Sequence, residues 1–92
     1  MTSKAECYFN SDGTKIWYKN GKYHREDGPA FEYSDGKKIW HKDGMCHRED
    51  GPAVIYEDGR HLYYLNGTLY TKEEYWEEIE KIKKRKEGKR EK

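Results

Sequence analysis

A chain of 92 residues and 11.1 kDa has room for one domain with a small core. Its net charge of +1 excludes a uniformly basic nucleic-acid module, whose footprint is a strong positive excess. Only 33% of residues are apolar against 40% charged, so a few large side chains must supply the burial; aromatics, 15% of the chain, can do so at about 150–250 Å² each.

The opening segment, Met1 to Cys7, is polar and charged, and no stretch approaches the roughly 18 apolar residues of a membrane span. A soluble, unsecreted, cytoplasmic protein without membrane insertion is expected. Cys7 and Cys46 lie far apart without CxxC spacing, which fits reduced thiols better than a disulfide framework.

From Tyr8 the chain repeats. Residues 8–30, 31–53 and 54–76 align without a gap, and the first two units share 15 of 23 positions, including His24-Arg-Glu-Asp-Gly-Pro-Ala30 and His47-Arg-Glu-Asp-Gly-Pro-Ala53. The third unit keeps Asp58-Gly59, Leu62-Tyr63 and Asn66-Gly67 and then diverges, as terminal repeats tend to. Asp-Gly at 12/13, 35/36 and 58/59, and Asn-Gly or Asp-Gly at 20/21, 43/44 and 66/67, supply the positive φ angles of tight turns. Strands are predicted over Thr14–Lys19, Lys37–Lys42 and Arg60–Leu65, preceded by shorter ones at Ala30–Tyr33 and Ala53–Tyr56. Each unit then reads as one β-hairpin, and the whole as a sheet of about six strands. Strand alternation puts Ile16, Ile39 and Leu62 on one face and Trp17, Trp40 and Tyr63 on the other.

A helix follows over 72–87. Thr71 and Glu74 form a capping box, and Tyr75, Trp76, Ile79 and Ile82 recur at helical spacing. Glu77 with Lys81 and Glu80 with Lys84 have the favourable i, i+4 order. The apolar stripe is expected to pack on the last repeat and blunt its edge. Residues 81–92 hold eight basic and two acidic residues, so the body is acidic and the end basic; fraying is expected beyond about Lys86, where Gly88 interrupts, and 88–92 reads as a basic tail. The expected fold is therefore a single mainly β domain over 1–92, a meandering antiparallel sheet of three tandem β-hairpin repeats capped by one amphipathic C-terminal α-helix.

The pattern Tyr18-Lys-Asn-Gly-Lys-x-His24, followed by Tyr33-Ser-Asp-Gly36, resembles the MORN (membrane occupation and recognition nexus) repeat, which also has about 23 residues per unit. The resemblance covers residues 8 to about 70 and departs from the family in lacking its Tyr-x-Gly strand start and in the lengths of its two arms. It implies an extended array of antiparallel hairpins used as a platform for binding proteins, and in some members phospholipids. The run from Asn20 to Ala30 is also similar to strings in uncharacterised repeat proteins of tailed bacteriophages and large viruses. That likeness implies a viral accessory protein acting in the cytoplasm of a host cell.

The two His-Arg-Glu-Asp cassettes contain residue types fit for acid/base chemistry or metal ligation, but their carboxylates are adjacent rather than opposed, and the cassette occurs twice where an active site needs one constellation. They are expected to be structural, with Asp27 and Asp50 satisfying turn amides and Arg and Glu pairing between repeats. Without a phosphate loop, nucleophile elbow or paired-Cys motif, no catalytic residue, metal or cofactor is assigned.

One helix cannot cover two apolar faces, so an open aromatic surface rimmed by charge is expected, as at interaction sites. The candidate partner-binding residues are Trp17, Trp40 and Tyr63 on one face, Tyr18, His41 and Tyr64 on the other, and Arg25 and Arg48. The leading expectation is a non-enzymatic, virus-encoded protein that binds and inhibits or redirects a host protein, such as a bacterial defence enzyme. The alternative is a nucleic-acid or anionic-surface binder using Lys83, Lys84, Arg85, Lys86, Lys89 and Arg90 with stacked aromatics. Homo-oligomerisation through the aromatic face is a third.

Overall fold

The computed structural model describes residues 5–90, with side chains to Arg85. It is mainly β, a multi-stranded antiparallel sheet with one C-terminal helix. The strands are β1 (Glu6–Phe9), β2 (Lys15–Lys19), β3 (Lys22–Tyr23), β4 (Phe31–Glu32), β5 (Lys38–Ile39), β6 (His41–Lys42), β7 (Met45–Cys46), β8 (Val54–Ile55), β9 (His61–Leu65) and β10 (Thr68–Tyr70), and the helix is α1 (Lys72–Arg90). The main sheet runs β1-β2-β4-β5-β8-β9-β10, with β3 also paired to β2, and β6-β7 forms a two-stranded ladder.

More strands form than the expected six because the chain turns twice within each 23-residue interval. At Asn20-Gly21, φ is +54° and +77°, and Asp43-Gly44 and Asn66-Gly67 match it. This is the type I′ geometry whose twist suits a two-residue hairpin. A further strand therefore follows each of these turns: β3, β7 and β10. The Asp-Gly turns are built differently. The Asn10 N–H donates to the Thr14 carbonyl at 2.9 Å, and Asp12 Oδ1 accepts from the Thr14 N–H at 3.0 Å. Asp35 and Asp58 do the same for Lys37 and Arg60. The backbone donor at Thr14 holds the Asp12 carboxyl below the usual carboxylate range, as the Arg60 backbone does for Asp58.

Register assigns the faces. Tyr8 lies opposite Ile16, Ile16 opposite Phe31, Phe31 opposite Ile39, Ile39 opposite Val54 and Val54 opposite Leu62, so these six share one face. Tyr18 opposite Tyr23, His41 opposite Cys46, and Tyr64 opposite Leu69 continue it. Trp17, Trp40 and Tyr63 point to the other side.

Helix α1 packs on that second face, against Tyr63, Leu65 and Tyr70 of residues 54–76, the stretch on which it was expected to pack. Tyr75 and Ile79 are buried with Leu65, and Tyr63, Tyr70 and Ile82 pack around them. Trp76 falls outside the stripe and is exposed. The capping box forms: the Thr71 N–H donates to Glu74 Oε1 at 3.2 Å, and the Glu74 N–H to Thr71 Oγ1 at 3.1 Å. Lys81 pairs with Glu78 at i, i+3, one residue from the expected Glu77. The helix runs through Gly88 to Arg90, beyond the expected end; the expected tail residues 91–92 lie outside the described residues.

Tyr75 ties helix to sheet. Its hydroxyl donates to the Arg48 carbonyl and accepts from the Gly51 N–H at 3.2 Å, while its ring lies 4.9 Å from Tyr63. Tyr75→Phe should cost about 1–3 kcal/mol, because it strands two buried backbone groups, and Tyr75→Ala about 3–5 kcal/mol. Urea denaturation of the two variants checks both values and their order.

Candidate functional site

The two His-Arg-Glu-Asp-Gly-Pro-Ala cassettes make the same central contacts and work as clamps. The Arg25 guanidinium stacks on the Trp17 ring at 3.8 Å, and Arg48 stacks on Trp40 at 3.8 Å. Arg25 Nε donates to Asp27 Oδ1 at 3.0 Å, and Nη1 donates to the Pro29 carbonyl at 3.1 Å and to Glu32 Oε2 at 3.0 Å. Arg48 repeats the first two with Asp50 and the Pro52 carbonyl. The glycine of each cassette is needed for closeness: a Cβ on Gly28 would sit 2.9 Å from Arg25 Cζ, and one on Gly51 3.2 Å from Arg48 Cζ. The Arg25 side chain is only 20% exposed and that of Arg48 22%, so both guanidinium groups are engaged within the clamps.

The cassette carboxylates differ from expectation as well. Asp27 and Asp50 receive the Arg Nε atoms, whereas the turn amides go to Asp12, Asp35 and Asp58. The Arg25 guanidinium holds the Asp27 carboxyl below the usual range. Glu26 turns to His24 and Lys19 within its own unit. Sequence reasoning missed the role of the two histidines. His24 Nδ1 accepts from the Asp43 N–H at 3.0 Å and His47 Nδ1 from the Asn66 N–H at 2.9 Å, each reaching the Asn/Asp-Gly turn of the following unit. The constant 19-residue step from each histidine to a turn residue was the available signal.

With Arg25 on Trp17, Arg48 on Trp40 and Tyr75 on Tyr63, the Trp17/Trp40/Tyr63 column is capped at all three positions. The opposite face carries a continuous aromatic ladder. Tyr8 meets Tyr18 edge-on at 5.4 Å, Tyr18 meets Tyr23 at 4.9 Å, Tyr23 meets Phe31 at 4.7 Å and His41 at 5.6 Å, and Phe31 stacks on Tyr33 at 5.9 Å. Lys37 bridges Tyr33 and Tyr56 at 5.2 and 5.0 Å, and Arg60 covers Tyr56 at 4.5 Å. The structure thus brings Tyr18 and His41 into one surface with Tyr8, Tyr23, Phe31 and Tyr33, and places Tyr64 on the same face beside Leu69. The protein is a slab 17 Å thick, the depth of one sheet and one helix layer.

His41 sits half-buried in this ladder, and desolvation pushes its pKa below the ordinary value. Its Nδ1 is buried with no hydrogen-bond partner. Lys83, Lys84 and Arg85 are exposed on α1; Lys86, Lys89 and Arg90 lie outside the described side chains. Among the described residues, no three His, Cys, Asp or Glu side chains gather as a metal site, and no helix is long and apolar enough to cross a membrane. No protein-family model, curated protein or solved structure matches the chain.

Two measurements probe the open face. Folding favours neutral His41, so its stabilising contribution is full above the unfolded-state pKa of about 6.5 and falls as pH drops below it. His41→Phe should therefore flatten the loss of melting temperature between neutral pH and about pH 5; an unchanged slope would place the proton elsewhere. Burial also raises the Cys46 thiol to about 11, whereas Cys7 is exposed. In a thiol-reagent time course at neutral pH, Cys46 should react at least roughly tenfold more slowly than Cys7.

Proposed function

We propose that this chain is a non-enzymatic protein-binding module, three tandem β-hairpin repeats held as a plate, whose aromatic face docks on another protein. The observation that carries this reading is the difference between the two faces. The Trp17 side is closed by Arg25, Arg48 and α1, while Tyr8, Tyr18, Tyr23, Phe31 and His41 form a connected aromatic surface on the side away from the helix. A preformed aromatic surface docks at little entropic cost, since its side chains already hold one another. Tyr18, His41 and Tyr64 are then the contact residues, and Trp17, Trp40, Tyr63, Arg25 and Arg48 support them from behind.

The likeness of Asn20 to Ala30 to strings in phage and large-virus proteins makes the partner a host-cell protein, such as a bacterial defence enzyme, which docking inhibits or redirects by occlusion. The test is capture from host lysate with substitutions on opposite faces. Tyr23→Glu and Leu69→Glu, both at exposed positions of the aromatic face, should abolish recovery of the partner. Met45→Glu, exposed on the Trp40 side, should leave it intact. Equal loss from all three would remove the face assignment. Capture that falls steeply with salt and disappears when residues 83–92 are deleted would instead select the nucleic-acid or anionic-surface reading.

A further inference from the structure

We infer that copies of this chain join head to tail, β1 of one copy pairing with the outer edge of β9 of the next, in the register the sheet already uses twice within the chain. Strand β4 sits on the outer edge of β2 with Glu32 opposite Lys15 and Phe31 opposite Ile16. At an offset of 23, β8 sits on β5 with Ile55 opposite Lys38 and Val54 opposite Ile39. The same step forward from Lys38 and Ile39 reaches His61 and Leu62. There β9 pairs with β8 on its inner side, β10 takes only Tyr63 to Leu65, and no described strand lies outside His61 and Leu62, because Glu77 and Glu78, one step on from Val54 and Ile55, are already in α1. The same step back from Phe31 and Glu32 reaches Tyr8 and Phe9 of β1, whose one partner among the described strands is β2. The two open edges are complementary halves of one junction, with Phe9 opposite His61 and Tyr8 opposite Leu62.

Backbone phase agrees with this pairing. The Asn10 N–H bonds to the Thr14 carbonyl, so alternation turns Tyr8 and Glu6 towards β2 and leaves Phe9 and Cys7 facing out. The Tyr56 N–H bonds to the Arg60 carbonyl, so Leu62 faces β8 and His61 faces out. Side chains agree too. Phe31 packs 4.7 Å from Tyr23, and in the new junction Tyr8 takes the place of Phe31 and Leu69 that of Tyr23. Val54, which has neighbours on both sides, is 6% exposed, whereas the end residues Tyr8 and Leu69 are 51% and 55% exposed. A notch of about 410 Å³ lies between this edge and the start of α1, with His61, Leu62 and Leu69 on the sheet side and Thr71, Lys72 and Glu74 on the helix side. Strand β1, Glu-Cys-Tyr-Phe, has neither Pro nor Lys to blunt it. Such a contact is heterologous, so it propagates and extends the aromatic face from copy to copy.

Sedimentation velocity over a concentration series tests this directly. The wild-type chain should show a mass that rises with concentration above 11.1 kDa. Phe9→Pro removes the outward amide of β1, and His61→Pro removes that of β9; each variant alone should remain monomeric. Each keeps the edge the other has lost, so a mixture should form a dimer and nothing larger. Circular dichroism checks their folding, with Tyr8→Lys replacing Phe9→Pro, or Leu69→Lys replacing His61→Pro, where the Pro variant unfolds. A wild-type monomer at all concentrations overturns the inference, as does a mixture that fails to dimerise. Oligomers that survive both Pro variants but dissolve with Tyr23→Glu overturn it in favour of face-to-face association.

Discussion

The stacking of Arg25 on Trp17 and of Arg48 on Trp40 is the contact on which the rest of the structure depends. Among the described residues only six apolar side chains are buried, three of them at the helix and two of them alanines, so a conventional core cannot hold the sheet flat. Each guanidinium instead lies between an indole and a glycine backbone, donates to a proline carbonyl and a carboxylate, and fixes the loop that carries the chain from one unit to the next. The charged, planar Arg head can cover an aromatic ring while keeping its own hydrogen bonds, which no aliphatic side chain can do. His24 after β3 and His47 after β7 add the link to the following turn.

This arrangement makes the two faces unequal. The cassettes fold over the indole side because Arg and Trp must meet there, and the last unit, lacking a cassette, uses Tyr75 of the helix on Tyr63 for the same purpose. All covering material is thereby spent on one side. The other side keeps its rings in mutual contact, an ordered apolar surface produced by the packing of its opposite face.

Periodicity has a second consequence. A repeat that pairs strand to strand is never finished by its own logic; something must end it. Among the described residues, the helix covers the face of β9 while no strand pairs with the outer edge at His61, and β1 has a strand on one side only. The two ends match because both derive from a junction that the interior satisfies twice.

Much of this was legible in the residues. The 23-residue period, the turn dipeptides, the capping box at Thr71 and Glu74, and the opposite faces of Ile16 and Trp17 all follow from local rules, since turn chemistry and strand alternation act over a few residues. The short strands after the Asn-Gly turns escaped notice because two residues carry no periodicity. Tertiary structure alone decided which aromatic column is covered, since the choice depends on Arg25 reaching back eight residues to Trp17 and on the side of β9 that α1 takes. Those are meetings between distant segments, and composition is silent on them. The chain itself thus determined that there would be two apolar faces and one helix, while packing decided that the Trp face closes and the tyrosine face stays open.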